Sequence, residues 1–412
     1  MIEAGKTLDR RTFLRLGSST LFLLGGAPLE ALARPEGRQP VLVVVFQRGA
    51  ADALHMLVPY RDRRYRELRG ALALEEPGRG ENETLDLGGG FAFHPALSPL
   101  YPLYKSGRLA PIINVGSPDG TRSHFDAQDY MESGTPGLKS TRDGWLARAV
   151  EALALDHPSP FTGVALTSQM PRSLAGTHDA MALEDFSKIA FPRRTDPLTE
   201  KIERSYREDS SASFSEAGEA AFRAMRLVRD IDPLSQPNSG SARYPRGRKS
   251  NPLEQLAKLI KADLGVRVAF VESGGWDTHF AQGAATGAMA DLMGKLAGSV
   301  AAFVEDVGET CPVTLLVVTE FGRTVALNGA GGTDHGHGGA MMVVGHGVRG
   351  GRVHGEWLGL EKRELYEGRD LPVTTDFRDV FAEVADKALG PLDSAALFPG
   401  YRPKSVGVMT RS

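Results

Sequence analysis

Asp277 and His279 stand two residues apart in GGWDTHF, and His335 and His337 repeat that spacing in TDHGHGG, with Asp334 alongside. Residues two apart on an extended segment leave the same face of the chain, so each pair could offer two donor atoms to one ion. Aspartate with histidine is a mixed oxygen–nitrogen set that suits a divalent metal ion. Its identity is open between zinc, manganese, calcium and iron. Three of the ten histidines fall in these two short loops. A single histidine is usually structural or solvated, and Asp-Thr-His can equally be a capping turn. The joint pattern is what favours a shared metal site. Glu320, at the head of the same glycine-rich loop, and Asp52, in QRGAADALH, are further candidate carboxylates, enough for one tetrahedral site or two adjacent ones.

Other residues suggest what a metal would act on. Ser123 in TRSHFDAQDYMESG opens a helix-like stretch, where free backbone N–H groups favour an anion. Its hydroxyl could be a nucleophile; it could also be a plain N-cap, with Asp126 completing a capping box. Ser117 and Thr121 are rivals, and Arg122 and His124 add charge to the same loop. Arg48 and Arg323 each follow a strand-like run, and could clamp an anionic substrate or serve as buried ion-pair partners.

The elements that must position these residues are legible as apolar runs: VLVVVF (41–46), LAPIINV (109–115), GVALTS (163–168), VRVAFV (266–271), VTLLVVT (313–319) and MMVVG (341–345). Continuous Val/Ile-rich runs mark strands buried on both faces. Helical stretches lie between them, at 251–265, at about 284–307, and in TTDFRDVFAEVADKALG, which opens on Thr375 or Asp376 and closes on Gly390. The class expected is α/β: a mostly parallel sheet with helices on both faces, and ligands at the carboxyl ends of the strands. Four of these six strand ends carry the residues above. Residues 198–250, polar and then rich in Pro, Ser and Gly, read as a cap or insertion.

The chain opens with DRRTFLR (9–15), an uncharged stretch and Ala31-Leu32-Ala33, the layout of a twin-arginine export signal over residues 1–33. Residues 34–412 are then expected to form a single α/β domain, periplasmic or secreted, with the twin-arginine translocase as a partner during export. No later run reaches the roughly 20 apolar residues of a membrane helix. Removing the signal moves the formal charge from −3 to −4, which argues against nucleic acid as a partner. Cys311 is the only cysteine, so no intramolecular disulfide can form.

Taken together, the twin arginine, VLVVVFQRGAADALHMLVPYRDRRY, TRSHFDAQ, GGWDTH, TEFGRT and GTDHGHGG resemble the exported bacterial family called domain of unknown function 1501. The likeness covers nearly all of the chain after residue 33. That family in turn resembles the alkaline phosphatase and sulfatase superfamily, which implies an α/β fold and two metals held by Asp and His, with a nucleophile at a helix start. By that resemblance Ser123 takes the nucleophile's place, Asp277 and His279 one ligand segment, Thr319–Gly322 another, and His335 or His337 the late histidine. Three departures stand out: Ala50-Ala51 replaces a double glycine, Glu320 an aspartate, and Phe321 a histidine ligand. One metal, or a rearranged pair, fits these residues better than a full two-metal site. The expectation is an exported metal-dependent hydrolase of phosphate, sulfate or related esters, acting on an anionic small molecule. The alternative is a non-catalytic binding or assembly protein on the same fold.

Overall fold

The computed structural model describes residues 38–78, 83–156, 158–185, 236–247, 250–308 and 311–410. The twin-arginine segment lies outside them, as do residues 198–235 of the expected cap. From Arg38 onward the chain forms one compact unit.

Every apolar run becomes a strand. In chain order these are β1 (Val41–Gln47), β2 (Leu57–Val58), β3 (Leu85–Gly88), β4 (Phe91–Phe93), β5 (Leu109–Gly116), β6 (Gly163–Leu166), β7 (Ala180–Ala182), β8 (Val268–Ser273), β9 (Val313–Thr319), β10 (Gly339–Gly345) and β11 (Thr375–Asp376). Eight of them form one sheet in the order β11-β5-β10-β9-β1-β8-β6-β7, and β2, β4 and β3 form a small second sheet. The main sheet is parallel except for β10, which runs antiparallel to both β5 and β9. The reason lies in the connection: residues 320–338 contain no helix, and without a crossover the chain returns beside the strand it left. That long loop therefore starts and ends at one sheet edge, the edge at which β1, β5, β8 and β9 also end.

Among the described residues, the helices of eight residues or more are α1 (His124–Ser133), α2 (Trp145–Ala152), α3 (Pro252–Lys261), α4 (Ala288–Val307) and α5 (Phe377–Leu389). Their ends follow local chemistry. Asn251 caps α3, accepting from Leu253 N–H at 3.0 Å, and Pro252 fills its first position. Asp376 caps α5, accepting from Arg378 N–H at 2.9 Å, and Gly390 ends it. Helices cover both faces, as expected. Val41, Val43 and Val45 of β1 pack in one core with α3 and α4; Leu42, Val44 and Phe46 pack in the other with α2 and α5. Burial on both faces is why these strands read as unbroken apolar runs.

The C-terminal strap is tied down by one carboxylate. Glu383 accepts from Ser405 Oγ and from the N–H groups of Val406, Gly407 and Met409, at 2.7–2.9 Å. Burial pushes the Glu383 pKa up, but these donors outweigh it and hold it below the usual glutamate value. A lowered folded pKa means that the unfolded chain binds more protons. The contribution is thus present above the ordinary glutamate value and is lost as pH falls through the lowered one. Glu383→Gln is expected to flatten the acid limb of a melting-temperature-versus-pH profile in that window. An unchanged acid limb would show that the strap adds nothing to stability.

Candidate metal centre

Three histidines and one aspartate meet at the carboxyl edge of the sheet, each from a different strand's loop or a different part of one. His124 opens α1 behind β5, Asp277 and His279 follow β8, and His335 lies on the loop behind β9. The loops behind β8 and β9 are stitched to each other and to the loop behind β1 by Arg323, which is buried. Its Nε donates to Ala50 O at 2.7 Å, Nη1 to Thr333 O at 3.0 Å, and Nη2 to Trp276 O at 3.2 Å, to Gly49 O and to Asp277 Oδ1. Gly49 permits the close approach: a Cβ there would sit 2.6 Å from Asp277 N. Ala50, where the resembling family shows glycine, holds a left-handed φ of 61°.

Each imidazole is oriented by an acceptor on its Nδ1. His124 Nδ1 lies 2.8 Å from Glu320 Oε1, His279 Nδ1 3.1 Å from Asp334 Oδ1, and His335 Nδ1 2.9 Å from the Arg122 carbonyl. A carbonyl or carboxylate can only accept, so all three Nδ1 atoms carry a proton, and a ring without a second proton offers its Nε2 as a lone pair. The three Nε2 atoms converge. Asp277 Oδ1 is 3.6 Å from His124 Nε2, 3.0 Å from His279 Nε2 and 3.3 Å from His335 Nε2. His279 Nε2 and His335 Nε2 are 2.9 Å apart. Two facing lone pairs at that distance repel unless a cation or a proton lies between them. His124 Nε2 is shielded from solvent and has no hydrogen-bond partner among the described residues.

This donor set fits a divalent metal. Zinc–nitrogen bonds of about 2.0–2.1 Å imply a tetrahedron edge of roughly 3.3 Å, and the separations above scatter about that value. The ligand atoms of His124, Asp277 and His335 all lie within 4.8 Å of one another. His279 reaches two of the three.

The carboxylate–histidine contact at His124 is the usual way a protein fixes a ligand imidazole. Glu320 is fully buried and also accepts from Gln128 Nε2 and Gly49 N–H at 2.8 Å each and from Thr319 Oγ1 at 3.0 Å. Burial pushes its pKa up, but His124 and Gln128 outweigh that and hold it below the usual value. Glu320 in turn raises the His124 pKa. Burial lowers the pKa of His335. At Asp277 burial acts upward, and the Arg323 guanidinium overrides it.

Several sequence expectations are corrected here. Glu320 Oε1 lies 2.8 Å from His124 Nδ1 and also accepts from Gln128 and Gly49, so Glu320 stands behind a candidate ligand and is not one of the converging donors. Asp52 is buried away from the cluster, accepting from Arg69 Nη2 and, at 2.8 Å, from Gln282 Nε2. His337 is buried with its ring 4.1 Å from that of Tyr366 and lies outside the group. Neither arginine is free to clamp an anion. Arg323 is engaged as above, and Arg48 pairs with Glu132 at 2.6 Å and Glu272 at 2.7 Å while lying 4.1 Å over the Phe46 ring. Ser123 stands at the N-cap of α1, but its hydroxyl makes no capping bond, and Asp126 pairs with Lys139 at 2.6 Å. The capping-box reading therefore fails, and the hydroxyl stays available beside His124. Asp277, His279 and His335 are brought together as expected.

His124 is the candidate ligand that the residue pattern passed over, read only as added charge. Its signal was position, as the first helical residue behind a buried strand. Phe321, in the place of an expected histidine, stacks 5.0 Å from His124 and 5.2 Å from His335. With Ala50 and Ala127 it makes an apolar floor under the site.

Residues 110–396 match the family described as "Protein of unknown function (DUF1501)". No curated protein matches the chain. Among solved structures it is similar to the C-terminal periplasmic domain of EcEptC from Escherichia coli, in complex with Zn. That likeness has a TM-score of 0.32 at 10% identity, covering 75% of this chain and 74% of that one. It is also similar to a 2-O GAG sulfatase, with a TM-score of 0.32 at 10% identity over 89% and 76% of the two chains. A third is the phosphonate monoester hydrolase of Agrobacterium radiobacter, with a TM-score of 0.27 at 12% identity over 89% and 79%.

Proposed function

The chain belongs to the DUF1501 family, and from that premise and its own site we propose that it is a metal-dependent hydrolase of phosphate, sulfate or related anionic esters. The observation that carries this reading is the convergence of three Nε2 atoms on Asp277, each ring held by its own acceptor on Nδ1. A divalent ion bound there would polarise an ester oxygen and lower the pKa of water. This chain's residues would do the rest. Glu320 and Asp334 keep the rings aimed, Arg323 locks the loops at fixed separation, and the floor of Phe321, Ala50 and Ala127 excludes water from beneath. Ser123, at the start of α1, supplies a hydroxyl in the positive potential of the helix N-terminus, where it could attack the ester.

Export by the twin-arginine route, and a periplasmic or secreted location, belong to the same proposal and rest on residues 1–33. Among the described residues, no helix is long and apolar enough to cross a membrane.

The second reading, a binding or assembly protein, is favoured by the engagement of Arg48 and Arg323, which leaves neither to hold an anion. Turnover separates the two. Zinc- or manganese-loaded protein is expected to hydrolyse a chromogenic phosphate or sulfate ester, and Ser123→Ala to abolish that if the hydroxyl is the nucleophile. Metal bound at one equivalent with no turnover across phosphate, sulfate and phosphonate esters would put the binding reading first.

A further inference from the structure

Behind the metal centre lies a buried polar side chain that no step of the proposed chemistry uses. Gln282 is fully buried, and so are the three side chains that its amide meets. Nε2 donates to Asp52 Oδ2 at 2.8 Å. Asp52 is ion-paired with Arg69, and an ionised carboxylate only accepts. The amide nitrogen must therefore face Asp52, which turns the amide oxygen the other way. That oxygen accepts from Thr278 Oγ1 at 2.9 Å and from Thr333 Oγ1 at 3.0 Å. Both hydroxyls are shielded from water, so solvent does not replace these bonds if the acceptor is removed.

The two threonines belong to the two loops that bring Asp277, His279 and His335 together. Thr278 stands between Asp277 and His279. Thr333 precedes Asp334, the acceptor on His279 Nδ1, and His335 is two residues on. The backbones of the loops meet at this same point. Thr333 N–H donates to Thr278 O at 3.3 Å, and a Cβ on Gly332 would lie 2.3 Å from that oxygen. Arg323 holds the junction through main-chain oxygens, at Thr333 and Trp276. Gln282 holds it through the two hydroxyls, with one oxygen shared between the loops. Its own main chain is anchored: its N–H donates to Gly331 O at 2.9 Å, and its carbonyl accepts from Met289 N–H of α4 at 3.1 Å.

We propose that Gln282 is a positioning residue of the metal centre: its amide oxygen sets how far the Asp277–His279 segment stands from the His335 loop, and so the geometry offered to the ion. This rests on the metal-centre reading, so one arm of the test needs no metal. Gln282→Met keeps the length of the side chain and removes the acceptor. Zinc affinity, from a competition titration, is expected to fall about tenfold, as for other changes outside the ligands themselves. The visible d–d absorption of the cobalt-loaded protein is expected to shift with it. Thr333→Val removes one donor at constant shape and should move both readouts the same way by less; Thr333→Ser keeps the hydroxyl and should restore them. This pair carries the same test if Gln282→Met does not fold. Asp52→Ala is the control for stability, since it leaves the amide oxygen with both donors, and it should show native affinity and spectrum. In metal-free crystals the 3.3 Å contact of Thr333 N with Thr278 O is expected to lengthen in Gln282→Met. Native affinity and spectrum in Gln282→Met, an equal change in Asp52→Ala, no restoration by Thr333→Ser, or an unaltered junction in the metal-free crystals would each overturn the proposal. Native protein that binds no metal would count against the centre alone, and the crystals would still decide whether Gln282 sets the junction.

Discussion

One equivalent of divalent metal is expected to accompany the protein when it is purified without chelator, and His335→Ala is expected to lose it. Structural zinc sites contribute roughly 10–16 kcal/mol. Shared over four ligands, that is about 3 kcal/mol each, so losing one weakens binding by more than about 100-fold. His335 is the sharpest choice because its Nε2 faces both Asp277 Oδ1 at 3.3 Å and His279 Nε2 at 2.9 Å. Glu320→Gln should act more gently, by roughly 10–100-fold, as a change to a ligand's support does. It preserves the shape around His124 Nδ1 but removes the charge behind it. His337→Ala should leave metal content unchanged, because that ring packs on Tyr366. Elemental mass spectrometry and a competition titration on the three variants would check the order. Retention of full metal by His335→Ala, or its loss from His337→Ala, would mean that the centre has been drawn around the wrong residues.

Removing the carboxylate of Asp52 is expected to destabilise the protein by about 3–5 kcal/mol without touching the metal. Asp52 and Arg69 form an ion pair with both side chains shielded from water. Burial pushes the Asp52 pKa up, but the Arg69 guanidinium overcomes it and holds the group below the usual aspartate range. In Asp52→Ala the guanidinium keeps only the carbonyls of Thr324 and Val325 and a contact with His55 Nδ1, and its charge is uncompensated. His55 offers no counter-charge, since burial lowers its pKa to about 3 and the ring is neutral. A denaturant midpoint that falls with unchanged slope, at full metal content, would establish the pair as structural. A loss under about 1 kcal/mol, or a loss of metal, would contradict the assignment. Replacing both partners by apolar residues should recover much of the loss, because the penalty comes from the orphaned charge.

The two histidine-bearing loops show how far residue spacing reaches. Asp277 and His279 share an extended segment, so their common direction follows from the period of the chain and was legible. His335 and His337 have the same spacing, yet only one joins the centre. Gly338 N–H bonds to Leu371 O and Gly322 N–H to His337 O, which turns the loop so that His337 faces Tyr366. Those partners are distant in sequence, and no local rule encodes them. The arginines show the same limit. Position behind a strand was legible for Arg48 and Arg323, but whether each met an anion or a carbonyl depended on which loops arrived beside it.

By itself the sequence determined the buried strands, the helix opening at Thr375 or Asp376, the α/β class and the edge of the sheet at which chemistry-bearing residues would collect. These follow from periodicity, hydrophobic burial and local hydrogen bonding, which act within a few residues. The tertiary structure alone decided which side chains converge: it brought in His124, made Glu320 its support, and removed Asp52 and His337 from the cluster. It also set β10 antiparallel. Such choices depend on contacts between residues tens to hundreds of positions apart, where side-chain direction is set by packing and not by spacing.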